Sequence, residues 1–133
     1  DLDGLKAKVE AVKGTPLKIF NANSATLLES LKMGCSGFSG VMANFHADTY
    51  GWLCKNFKEQ PEKAELMQAF LGFASVIECQ VYPVNAKYHM NLEGVPMTLN
   101  CRNKDKNDLT GSRKLEVEQL HTLYKHMRKE FFN

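Results

Sequence analysis

A chain of 133 residues, 44% hydrophobic and 24% charged, has the size and composition of one small globular domain, which excludes a disordered polymer. The formal net charge of +2 is too small for nucleic-acid binding, and the longest basic cluster, Arg102 to Lys106, is broken by Asn103 and Asp105. No run approaches the roughly 20 apolar residues that span a membrane, and the opening DLDGLKAKVE lacks a signal-peptide pattern. A cytoplasmic location is therefore expected, with an organelle matrix as the alternative. Cys35, Cys54, Cys79 and Cys101 form no C-x-x-C pair, which fits free buried thiols in a reducing compartment better than a zinc knuckle or disulfide scaffold.

The opening segment reads as an amphipathic helix, because Leu2, Leu5, Val9 and Val12 repeat at three and four. Asp1 or Asp3 can cap its start and Gly14 can end it. TPLKIF then alternates Leu17 and Ile19 with polar neighbours, a short strand. A second helix starts at Ser24, buries Leu27, Leu28 and Leu31, and leaves at Gly34. GFSGVMAN reads as a second strand, and His46 to about Phe57 as a third helix. Strands separated by helices of this length imply βαβ units, a parallel sheet and right-handed crossovers.

After residue 60 no strand signal appears. Pro61 suits the first turn of a helix whose face carries Met67, Phe70, Leu71, Ala74 and Ile77. A short helix follows Pro83 and closes at Gly94, and the segment from Val95 to Asp108 is a polar connector. The last helix begins near Ser112 and carries Leu120, Leu123, Tyr124, Met127 and Phe131 on one stripe. The expected organisation is thus an α/β portion over residues 1–60 and a helical region over residues 61–133.

The stretch GCSGFSGVMANFHAD is not a phosphate loop of the Walker type, since no Lys follows the glycines. Nor is it a dinucleotide fingerprint, since Gly34, Gly37 and Gly40 lie three apart and precede a strand. A structural role fits better: Gly34 ends a helix, Gly37 enters a strand in a tight space, and Gly40 leaves room for a close backbone or ligand.

SLKMGCSGFSGVMAN resembles the last barrel segment of the dihydrodipicolinate synthase/N-acetylneuraminate lyase superfamily. LKIFNANSATLLESL is similar to the seventh strand and following helix of that family, and YPVNAKYHMNLEG to a downstream segment, with Pro83, Lys87 and Gly94 in register. The resemblance implies the C-terminal part of a (β/α)8 barrel followed by a helical extension, with catalysis at the C-terminal strand ends. It implies condensation or cleavage of 2-keto acids such as pyruvate through a lysine Schiff base, with no metal or organic cofactor. By register the catalytic lysine, the carboxylate loop and the proton-shuttling tyrosine precede Asp1, so this chain by itself is expected to be inactive. Its implied partners are the N-terminal half of the barrel, the keto acid and further copies in a homo-oligomer.

The same register places Asn21, Ala22, Asn23, Ser39 and Gly40 near substrate. Ser39 stands where the family usually has an apolar residue, Ala22 where it has glycine and Asn23 where it has an acid. The Ser39 hydroxyl can bond a more polar substrate or only fill space. Asn21 and Asn23 can bind substrate hydroxyls or cap the helix that follows. Lys18 and Lys87 are weaker alternatives for a reactive amine. The histidines show no ligand spacing: His46 and Cys54 are eight apart and His121 and His126 five apart, so core or surface roles are expected. Two rival readings are a non-catalytic helical interaction module, using residues 61–79 and 112–131, and a phosphate-ligand-binding barrel fragment.

Overall fold

In the computed structural model, which describes residues 1–132, the Asp1 carboxylate accepts from the Gly4 amide at 2.6 Å and starts helix α1 (Leu2–Ala11). The chain continues through β1 (Phe20–Asn21), a 3-10 turn (Ser24–Thr26), α2 (Leu27–Lys32), β2 (Gly37–Phe38), α3 (Ala43–Asn56), α4 (Pro61–Glu78), α5 (Val84–Leu92), a second 3-10 turn (Lys106–Asp108) and α6 (Gly111–Phe132). The result is a helix-dominated α/β chain. It forms two compact units, one of Asp1–Ala43 and Ala47–Phe73, the other of Asn44–His46 with the chain from Ala74 on.

In the first unit β1 and β2 pair in parallel, with Phe20 opposite Gly37 and Asn21 opposite Phe38. α2 connects them, as expected for a βαβ unit. Both strands are shorter than the sequence suggests. Among the described residues each has one partner strand, and the ladder is closed at its ends by Ser36 N–H to the Ile19 carbonyl (2.7 Å) and Ser39 N–H to the Asn21 carbonyl (2.8 Å). The chain turns at Gly40 instead of continuing as a strand to Asn44, and α3 starts at Ala43, ahead of His46. His46 is itself non-helical (φ −153°, ψ 69°) and breaks α3 into two helical pieces.

Leu27, Leu28 and Leu31 are buried as their spacing predicts, with Tyr50, Trp52, Leu53, Ala64, Met67 and Leu71 from the later helices. The Gln68 amide ties α4 to the start of α2, accepting from Leu28 N–H at 2.7 Å and donating to the Ser24 carbonyl at 2.8 Å. Gly34, at φ +106°, ends the helical turn in a conformation that disfavours a side chain. None of the α1 residues is buried, and Leu17, Phe20 and Val41 are also exposed.

In the second unit Val81, Val84 and Leu109 form a small core against Tyr88, Leu99 and Cys101. The Asn85 amide donates to the carbonyl of Glu78 (2.9 Å) and that of Ile77 (3.3 Å), satisfying the end of α4. The Asn91 side chain bonds both the amide (2.6 Å) and carbonyl (3.0 Å) of Met97, pinning the irregular connector. α6 buries Val117, Leu120, His121, Tyr124 and Met127. Leu123, expected on that stripe, is 57% exposed because the buried arc is centred on Leu120, Tyr124 and Met127 and leaves position 123 outside. All four cysteines are free, but Cys35 alone among them is buried and Cys79 is exposed.

Candidate functional site

The parallel pairing brings the C-terminal ends of β1 and β2 side by side, so Asn21, Ala22 and Asn23 leave one strand next to Ser39 and Gly40 leaving the other. The Ser39 amide bonds the Asn21 carbonyl, and a Cβ on Gly40 would stand 2.7 Å from the Ala22 carbonyl oxygen and 2.4 Å from the Phe38 ring. The space that Gly40 leaves is therefore taken by a backbone carbonyl and an aromatic edge.

Asn21 is 3% exposed and its side chain is engaged within the fold. Its amide nitrogen donates to Thr26 Oγ1 (3.1 Å) and Ser30 Oγ (3.0 Å), while its Oδ1 accepts from Asn23 N–H (2.9 Å). Asn23 caps the 3-10 turn, its Oδ1 accepting from Ala25 N–H at 2.9 Å. Ala22, Asn23 and Ser39 are exposed, and the Ser39 hydroxyl makes no hydrogen bond among the described residues. Ser39 thus offers a free hydroxyl at the strand ends, and Asn21 shapes the loop that faces it.

One residue that the sequence did not single out holds this end together. Tyr50 of α3 stacks on Phe38 with ring centroids 4.1 Å apart at 9°, and its hydroxyl lies 2.7 Å from Ser24 Oγ. One phenol thereby grips the strand end of β2 and the loop after β1. Its only sequence signal is an aromatic on the inner face of α3. Cys54 also approaches β2, 3.9 Å from the Cβ position of Gly37; burial raises its thiol pKa, and a hydrogen bond with the Phe38 backbone opposes that shift.

The two alternative lysines lie in different units. Lys18 stands before β1, at the opposite end of the strand, and Lys87 of α5 donates to the Asn100 carbonyl. Among the described residues no group of three or more His, Cys, Asp or Glu side chains is placed to hold a metal ion, and no helix is long and apolar enough to cross a membrane.

A model of the dihydrodipicolinate synthetase family matches residues 3–126. No curated protein and no solved structure gives a significant match. Because the family match covers nearly all of the chain and both strands of the parallel pair, the chain belongs to the dihydrodipicolinate synthetase family.

Proposed function

We propose that this chain is the C-terminal portion of a pyruvate-dependent lyase or aldolase, the last two strands of a (β/α)8 barrel with its helical extension. Residues 1–60 supply the barrel part and residues 61–133 the extension. The complete enzyme forms or cleaves a C–C bond next to a 2-keto acid through a Schiff base on a lysine outside these residues. The iminium serves as the electron sink, so the reaction needs no metal or organic cofactor. Ser39, Gly40, Asn21, Ala22 and Asn23 border the substrate, with the Ser39 hydroxyl addressing a polar group on it.

The observation that carries this reading is the parallel pair in register, joined by α2 and open along both edges among the described residues. Barrel strands need neighbours on both sides. The exposed Leu17 (66%), Phe20 (49%) and Val41 (51%) are the apolar surface that such neighbours, the N-terminal half of the barrel, would cover. The position of Lys18 before β1, away from the C-terminal strand ends, supports an amine elsewhere. The enzyme works in the cytoplasm or an organelle matrix as a homo-oligomer.

Borohydride trapping with pyruvate tests the assignment. In the longest product of the gene, the mass increase is expected on a lysine outside residues 1–133, and this chain alone should remain unmodified. A trapped adduct on Lys18 or Lys87 overturns it. A non-catalytic helical interaction module is the second reading, favoured by Leu66 (57%) and Phe73 (79%), both exposed on α4.

A further inference from the structure

The second unit buries ionisable side chains contributed by four helices. His46 comes from α3, Glu78 from α4, His89 from α5 and His121 from α6, and none is more than 8% exposed. The outer two histidines have carboxylate partners. His46 Nε2 is hydrogen-bonded to Glu78, and His121 Nε2 lies 2.6 Å from Glu93, whose second oxygen is 3.6 Å from Arg128 Nη1. His89 stands between them, its ring centroid 6.5 Å from that of His46 and 5.3 Å from that of His121. Phe45 (5.4 Å) and Tyr124 (5.7 Å) close the remaining sides.

His89 is fully buried, and neither of its ring nitrogens makes a well-formed hydrogen bond among the described residues, the Phe45 backbone approaching the ring without completing one. An unsatisfied polar group in a core costs stability that an apolar ring of the same size would not. A proton on its second nitrogen would meet no acceptor in hydrogen-bond contact, since Glu78 bonds His46 and Glu93 bonds His121, while the other oxygen of Glu78 is itself buried and unpaired. We propose that the second unit contains an acid-operated latch centred on His89, which holds while this imidazole is neutral and releases the packing of α5 and α6 around Phe45 and Tyr124 when it is protonated.

The titration agrees in sign. Burial, then the charges of His46 and His121, lower the His89 pKa from 6.5 to about 4, while Glu93 and, last, a contact with the Phe45 backbone oppose them. Between those two values the unfolded chain binds the proton and the folded chain does not, so stability falls as the pH drops from 6.5 and the loss is complete below about 4. Glu78 acts in the opposite direction. Burial raises its pKa against the hydrogen bond and charge of His46, so the folded state takes up its proton first and gains stability on acidification. Glu78 is present in both the parent and a variant at position 89, so the difference between the two isolates the contribution of His89.

The test is urea unfolding of the 133-residue chain, followed by far-ultraviolet circular dichroism at pH 7.5 and 4.5, beside the variant His89→Phe. On this pH step the folded-to-unfolded ratio of the parent is expected to fall by on the order of a hundredfold more than that of the variant. Equal falls overturn the latch. A second measurement needs no variant: the imidazole proton resonances of His89 in the parent are followed against pH. An ionisation near pH 4 supports the proposal. Titration at the ordinary value, in a folded or an unfolded chain, overturns it. Neither measurement depends on the barrel assignment or on lyase activity.

Discussion

Asn21 donates twice and accepts once through its side chain, and its carbonyl accepts the Ser39 amide. Replacing it by alanine leaves Ser30 Oγ, inside a fully buried residue, without its donor and frees the loop of Asn23. Asn21→Ala should cost about 1–3 kcal/mol, the range for stranding a buried polar partner, and denaturant melts of the two proteins would read this directly. Asn23→Ala removes only an exposed cap. Sequence reasoning recognised both asparagines as either ligands or caps, because short amides favour turns. It could not see that one is buried and the other exposed, since that depends on Ser30, nine residues on in α2, and on the pairing with β2.

At the level of elements, helices were the most legible feature. The spacing of Leu27, Leu28 and Leu31, and of Met67, Leu71 and Ala74, reports a face that is in fact buried. Strand ends are less legible, because the small and apolar residues from Gly37 to Asn44 run on through the turn at Gly40, where a side chain would collide with the Ala22 carbonyl. The bend at His46 has no local signal, as neither proline nor glycine marks it. α3 carries the residue that fastens the two strand ends, and its contributions are separable. Tyr50→Phe keeps the stack on Phe38 but leaves the buried Ser24 hydroxyl unpaired, for an expected loss of about 1–2 kcal/mol. Tyr50→Ala also opens a cavity and should lose about 3–5 kcal/mol. Equal losses in chemical denaturation would mean that the ring contributes nothing beyond its hydroxyl.

For the molecule as a whole, family membership was legible because three short motifs keep their order and spacing. The cluster of His46, His89 and His121 was not, because its members come from three helices and spacing arguments compare residues within one. The open sheet edges and uncovered apolar residues of the first unit predict association. Light scattering after size exclusion should give a mass above the 15.0 kDa of a single chain, resolving to a single one-to-one complex if the proposed N-terminal half of a barrel is supplied. A stable monomer with cooperative melting would instead favour the helical interaction module. The chain enters its second unit at Asn44, leaves after His46 and returns at Ala74. No single cut can therefore divide this polypeptide into its two natural pieces: a protein shortened at Phe73 retains His46 but loses Glu78, and carries a tripeptide whose proper surroundings have been removed.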